Sequence, residues 1–157
     1  MSISEKRTKL AALRSREEFD GVLENNTQIR SAYFVLHYRI KFLSTKTSHE
    51  CCSSVDKRLS EGAKLGLIIP KRFARSAVTR SLIKRRCRAQ ISAFIPELPV
   101  GCWIIRLKRP IDSKQWKSSS SPELKKFISM ELQSLFSKAV MQLNAPHEER
   151  WQKGLLK

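Results

Sequence analysis

Between Gly62 and Pro96 there is not one acidic residue, yet the interval holds Lys64, Lys71, Arg72, Arg75, Arg80, Lys84, Arg85, Arg86 and Arg88. Exposed structural helices generally interleave Glu with Lys for i,i+4 pairing worth about 0.2–0.5 kcal/mol each. An unneutralised run on a predicted helix therefore needs an anion from outside the chain. At 100° per residue, Arg80, Lys84 and Arg88 form one stripe with Ser81 and Arg85 beside it, spanning roughly 140° of the circumference. Ile83, Cys87 and Phe94 lie on the other side, free to face a sheet. Arg86 falls near that apolar side and has to snorkel out. Lys71, Arg72 and Arg75 flank the helix start, where backbone N–H groups also attract phosphate. Cations there oppose the helix dipole, so they serve binding better than helix stability.

A second constellation lies upstream. Residues 29–43 alternate as a strand. Phe34, Leu36, Tyr38, Ile40 and Phe42 share the core face, and Tyr33, Val35, His37, Arg39 and Lys41 share the other. Rings and cations together on an open sheet face suit single-stranded nucleic acid, with rings to stack bases and cations to hold phosphates. The plainer alternative is a solvated strand face with a few aromatics.

Bond-breaking chemistry has no such marker. No Ser/His/Asp or Cys/His arrangement stands out, so no catalytic residue is assigned. Acids are too scarce for a two-metal nuclease site of clustered carboxylates. His37, His49 and His147 are far apart, and Cys51, Cys52, Cys87 and Cys102 lack zinc spacing. No metal ligand is assigned, and the thiols are expected reduced, as in a cytosolic protein.

These groups must be held by a small fold. The chain has 157 residues and 31 Lys and Arg against 14 Asp and Glu, a net charge of +17. The length suits one domain with tails, and 41% hydrophobic residues support a modest core. No run approaches a membrane span, and residues 1–13 lack the apolar stretch of a secretory signal. The excess charge calls for a polyanion. Nucleic acid is the leading candidate and an anionic membrane surface the second; the helix opposite the basic stripe lacks the bulk a membrane helix uses.

Residues 1–14 read as a basic arm, 15–143 as the folded domain and 144–157 as a tail. Ser15 and Glu18 make a capping box for a helix carrying Phe19, Val22 and Leu23. Residues 44–62 form a long loop, 64–69 a buried strand, 74–95 the basic helix, 101–108 a strand and 111–121 a Ser-rich linker. Ser121-Pro122 opens the last helix, with Leu124, Phe127, Ile128, Leu132, Leu135, Phe136 and Val140 as its apolar stripe. Strands and helices interspersed in this way indicate a small α/β or α+β sandwich.

The run Leu65-Gly66-Leu67-Ile68-Ile69-Pro70-Lys71-Arg72, followed by Ala77-Val78-Thr79-Arg80-Ser81-Leu82-Ile83-Lys84-Arg85-Arg86-Cys87-Arg88, resembles the protein subunit of bacterial ribonuclease P. That family's signature is Arg-Asn-x-x-Lys-Arg-x-x-Arg after a buried strand, and Arg80, Lys84, Arg85 and Arg88 fill its basic positions. Arg16-Glu17-Glu18-Phe19, Phe34-Val35-Leu36 and Trp103-Ile104-Ile105-Arg106 also fit, so the resemblance covers about residues 13–142. Ser81 stands where the family usually has Asn, Ala89 where Glu or Gln is common, Arg86 at a commonly apolar position and Leu82 at a commonly basic one.

The resemblance implies an α+β fold, a two-layer α/β sandwich of order αβββαβα with a left-handed βαβ crossover. It implies a protein that is part of a cytoplasmic bacterial endoribonuclease, with catalysis carried by an RNA subunit using magnesium ions. The partners would be that RNA subunit and precursor tRNA, with no membrane and no obligate protein partner. The motif helix would meet the RNA subunit through Lys71, Arg72, Arg75, Arg80, Ser81, Lys84, Arg85 and Arg88. A cleft between the first helix and the sheet would hold the 5′ leader through Phe19, Leu23, Tyr33, Val35, His37 and Arg39. A ribosomal or other structural RNA-binding protein with no role in cleavage is the alternative.

Overall fold

A computed structural model describes residues 10–25, 27–40, 63–99, 101–111, 114–116, 118 and 121–144. The elements run β1 (Ala11–Ala12), α1 (Arg16–Glu24), β2 (Gln28–Arg30), β3 (Phe34–Ile40), β4 (Lys64–Ile68), α2 (Ala77–Phe94), a 3₁₀ turn (Ile95–Glu97), β5 (Gly101–Leu107) and α3 (Pro122–Asn144). The strands form one mixed sheet of order β1-β4-β5-β3-β2, which with three helices makes an α+β fold. β3 is antiparallel to β2 and β5, whereas β4 is parallel to β5 and to β1. The parallel β4–β5 pair requires a crossover, and α2 supplies it.

Local chemistry sets the helix starts. Ser15 Oγ accepts from Glu18 N at 3.2 Å, and Glu18 Oε2 accepts from the backbone N–H groups of Arg14 and Ser15 at 3.0 and 3.4 Å. This is the expected capping box. Ser121 Oγ likewise accepts from Leu124 N at 3.2 Å to open α3. Ser76 precedes α2 with extended backbone but makes no side-chain cap.

Alternation then divides the sheet into two faces. Phe34, Leu36, Trp103, Ile105 and Leu107 are buried under α2 and α3, which contribute Leu82, Ile83, Cys87, Ile128, Leu132 and Phe136. Tyr38 stacks on Trp103 at 5.6 Å, and Phe94 stacks on Phe136 at 5.4 Å. The opposite face carries a smaller cluster, in which Val22, Phe19 and Leu23 of α1 cover Ile104, Ile68 and Cys102. The helices thus divide two and one across the sheet, and α1 leaves part of its face open.

Two local expectations change. Within the arm assigned to residues 1–14, Ala11 and Ala12 join the sheet: Ala11 N donates to Ala63 O at 2.9 Å and Leu13 N to Leu65 O at 3.0 Å, while residues 1–9 lie outside the described residues. The element order therefore begins with an extra edge strand. The single strand expected over 29–43 divides at a turn, where Ser31 N donates to Phe34 O at 2.8 Å and Phe34 N to Ser31 Oγ at 3.2 Å. Lys41, Phe42, the loop expected at 44–62 and the tail from 145 onward lie outside the described residues.

Candidate nucleic-acid interface

The basic helix presents the expected exposed face. Ser81, Lys84, Arg85 and Arg88 are exposed, while Thr79, Leu82, Ile83, Cys87 and Ile91 are buried on the other side. Arg86 is half-buried, as its position between the two faces demands. Burial pushes the Cys87 thiol up to about 12, so it stays neutral. Ion pairs among the described residues are Arg16–Asp20 at 3.7 Å and Lys64–Glu18 at 2.6 Å, and neither touches α2. No described carboxylate pairs with the cations of this helix.

Arg80 departs from the stripe. It is half-buried, and its Nη1 donates to the carbonyl oxygens of Ala74 and Arg75 at 2.9 and 2.7 Å. It braces the loop between β4 and α2. In that loop Lys71, Arg72 and Arg75 are exposed, and the Arg72 guanidinium lies over the Phe73 ring, 4.7 Å from its centroid. Phe73 O accepts from Ile111 N at 2.8 Å, which ties the loop to the segment after β5.

That loop forms one wall of a groove on the face shared with α1. The groove encloses about 330 Å³. Gln28 and Arg30 of β2, Val35 and His37 of β3, and Arg106 of β5 with Lys108 beyond it form its floor, and Arg72 and Phe73 close it. Strand register brings them together: Gln28 pairs with His37, Arg30 with Val35, and Val35 with Arg106. Four cations surround an apolar centre, and no carboxylate among the described residues lines it. His37 is held below its usual range, first by burial and then by Arg106 and Arg30. Its Nδ1 is buried without a hydrogen-bond partner among the described residues. A neutral ring with a free polar atom and surrounding cations suits a strand of bases and phosphates.

The residues expected to share one cleft are dispersed. Val35 and His37 line the groove. Phe19 and Leu23 pack beneath α1, and the Arg39 guanidinium reaches over Gly21 of that helix. Tyr33 lies on the other face: its ring meets Phe127 of α3 edge-on at 5.0 Å. It belongs to the Ser31–Phe34 turn, so the strand alternation does not extend to it. Gln28, Arg30, Phe73, Arg106 and Lys108 also line the groove, and none of them is among the residues expected to hold the leader. The alternation Cys102, Ile104, Arg106 along β5, continued at Lys108 just past its end, carried the signal, but only the register with β3 joins it to His37.

Among the described residues no three His, Cys, Asp or Glu side chains gather as metal ligands, and no helix is long and apolar enough to cross a membrane.

Comparison with known proteins agrees with this architecture. The ribonuclease P family model matches residues 8–139. The ribonuclease P protein component of Paraburkholderia xenovorans (strain LB400) is 31% identical over 137 residues, covering 86% of this chain and 84% of that protein. The corresponding protein of Azoarcus sp. (strain BH72) is 30% identical over 99 residues, covering 63% and 68%. In fold, the chain is similar to the RNase P protein of Staphylococcus aureus, with a TM-score of 0.58 at 15% identity over 83% of this chain and 96% of that one. A match spanning most of the chain, on a sheet and basic helix already consistent with it, leads to one conclusion: the chain belongs to the ribonuclease P protein family.

Proposed function

We propose that this protein binds the catalytic RNA subunit of ribonuclease P through the exposed face of α2 and holds the 5′ leader of precursor tRNA in the groove beside α1. It thereby assists endonucleolytic removal of the leader to give the mature tRNA 5′ end, in the bacterial cytoplasm where that RNA is processed. The RNA subunit, with its magnesium ions, supplies the chemistry; this chain supplies grip and orientation. The observation that carries the reading is the pair of cation-lined surfaces, one on α2 and one on the sheet face, neither of them met by a described carboxylate. Lys84, Arg85 and Arg88 act by releasing counterions from phosphates. The groove acts on unpaired nucleotides, each stacked base adding about 1–3 kcal/mol.

Reconstitution with a bacterial ribonuclease P RNA at low magnesium tests it. The protein should restore cleavage of precursor tRNA and favour precursor over mature tRNA in binding. Co-sedimentation with ribosomes and no stimulation of cleavage would instead identify a structural RNA-binding protein.

A further inference from the structure

β1 stops early, and its end leaves a notch. Ala11 and Ala12 pair with Lys64 and Leu65, after which the chain leaves through Arg14 and Ser15 into α1. β4 continues to Ile68. The carbonyls of Ala63 and Leu65 accept from β1, so parallel-ladder alternation turns the N–H and C=O of Leu67 to the same edge, beyond the reach of β1. A cleft of about 230 Å³ opens there. Leu10, Leu13 and Phe19 give it apolar lining, and Lys84 and Arg88 of the basic helix line it too.

We propose that this notch seats one unpaired nucleotide looped out of the RNA subunit, its base against Leu13 and Phe19, its edge on the Leu67 backbone, and its phosphates on Lys84 and Arg88. The inference rests on the reading of α2 as the RNA-subunit face and adds a base-contacting site to it. Three features meet here. The volume lies below the roughly 300 Å³ at which pockets for drug-sized ligands begin, so it suits a single base. A nucleobase presents an adjacent donor and acceptor on its Watson–Crick edge, and a base buried without partners for them is penalised. A vacated ladder position offers one acceptor and one donor side by side. The two cations place the negative charge outside the apolar part.

The source is the RNA subunit rather than the leader because of position. In the strand order the notch lies at the β1 edge, whereas the groove with His37 lies toward β2 at the far edge. Lys84 and Arg88 line the notch and also belong to the exposed α2 face, so a backbone lying along that helix passes beside it.

Amide NMR of the full chain tests the site directly, with uridine 5′-monophosphate and ribose 5-phosphate as probes. The nucleotide should shift the Leu67 and Leu13 amides, and ribose 5-phosphate at equal concentration should not. Ala12→Phe fills the rim with an uncharged ring at an exposed position and should abolish that shift. The same variant should lower affinity for the RNA subunit by about tenfold, the effect of one base contact, with the salt slope unchanged. Equal shifts from both probes, or normal affinity of Ala12→Phe for the RNA subunit, would overturn the pocket. So would a defect of Ala12→Phe confined to a leader oligonucleotide. The underlying α2 reading fails separately, if alanine at Lys84, Arg85 and Arg88 leaves both affinity and salt slope unchanged.

Discussion

Lys64 Nζ lies 2.6 Å from Glu18 Oε1, so the carboxylate that caps α1 also fastens that helix to β4. The Lys64 hydrogen bond is the first cause holding Glu18 below its ordinary value of 4.5, and the backbone N–H of Arg14 is the second. A carboxyl lowered by folding contributes stability that is fully present above its unfolded value and is lost as pH falls through the folded one. Glu18→Gln should therefore lower stability by about 1 kcal/mol at pH 7, and the difference from the parent should vanish in acid. Denaturant titrations at pH 7 and below pH 4 measure both.

His37 should couple groove binding to protons. Its pKa is lowered by burial and by Arg106 and Arg30, so the ring is neutral at pH 7. Phosphates that neutralise those guanidinium groups raise it again, and binding then takes up a proton. Affinity for single-stranded RNA should rise by roughly threefold as pH falls from 7.5 to 5.5. His37→Phe should show a flat profile. A shift of the His37 ring titration to higher pH on adding RNA, followed by NMR, is the direct check.

Alanine at Lys84, Arg85 and Arg88 should leave thermal stability nearly unchanged, because all three side chains are exposed and unpaired with described carboxylates. Their loss should reduce the slope of log affinity against log salt for the RNA subunit by about 2 to 3. Filter binding across a salt series measures it.

Arg80→Ala should behave differently. It removes the bonds to Ala74 and Arg75. A loss of about 1–2 kcal/mol is expected in thermal unfolding. The loop bearing Arg72 and Phe73 loosens with it, so affinity for a single-stranded leader should fall along with affinity for the RNA subunit. A variant that lost only the latter would show that Arg80 acts on phosphate alone.

Gly66→Ala should displace α1. A methyl group there would sit 2.5 and 2.7 Å from Cε1 and Cζ of Phe19. Overpacking of this kind costs about 1–3 kcal/mol. Adding Phe19→Ala should recover part of that loss, a coupling that a double-mutant cycle in denaturant reads out.

The sequence by itself determined whatever depends on near neighbours. Spacing of three and four residues defined the exposed stripe of Lys84, Arg85 and Arg88, a three-residue spacing defined the capping box at Ser15, and the pair Ser121-Pro122 marked the start of the last helix. Period-two alternation assigned Phe34, Leu36 and Tyr38 to one face and Val35 and His37 to the other. Those signals are local because helix and strand geometry repeat along the chain. Tertiary structure alone decided the rest. β1 is two residues long and has no periodicity to detect; its existence depends on the free edge of β4. Tyr33 lies in a turn whose hydrogen bonds rotate it toward Phe127, so counting from Phe34 assigns it to the wrong face. Arg30, His37 and Arg106 share one groove only because strand register, a long-range property, places them side by side, and Arg72 joins them from the loop between β4 and α2.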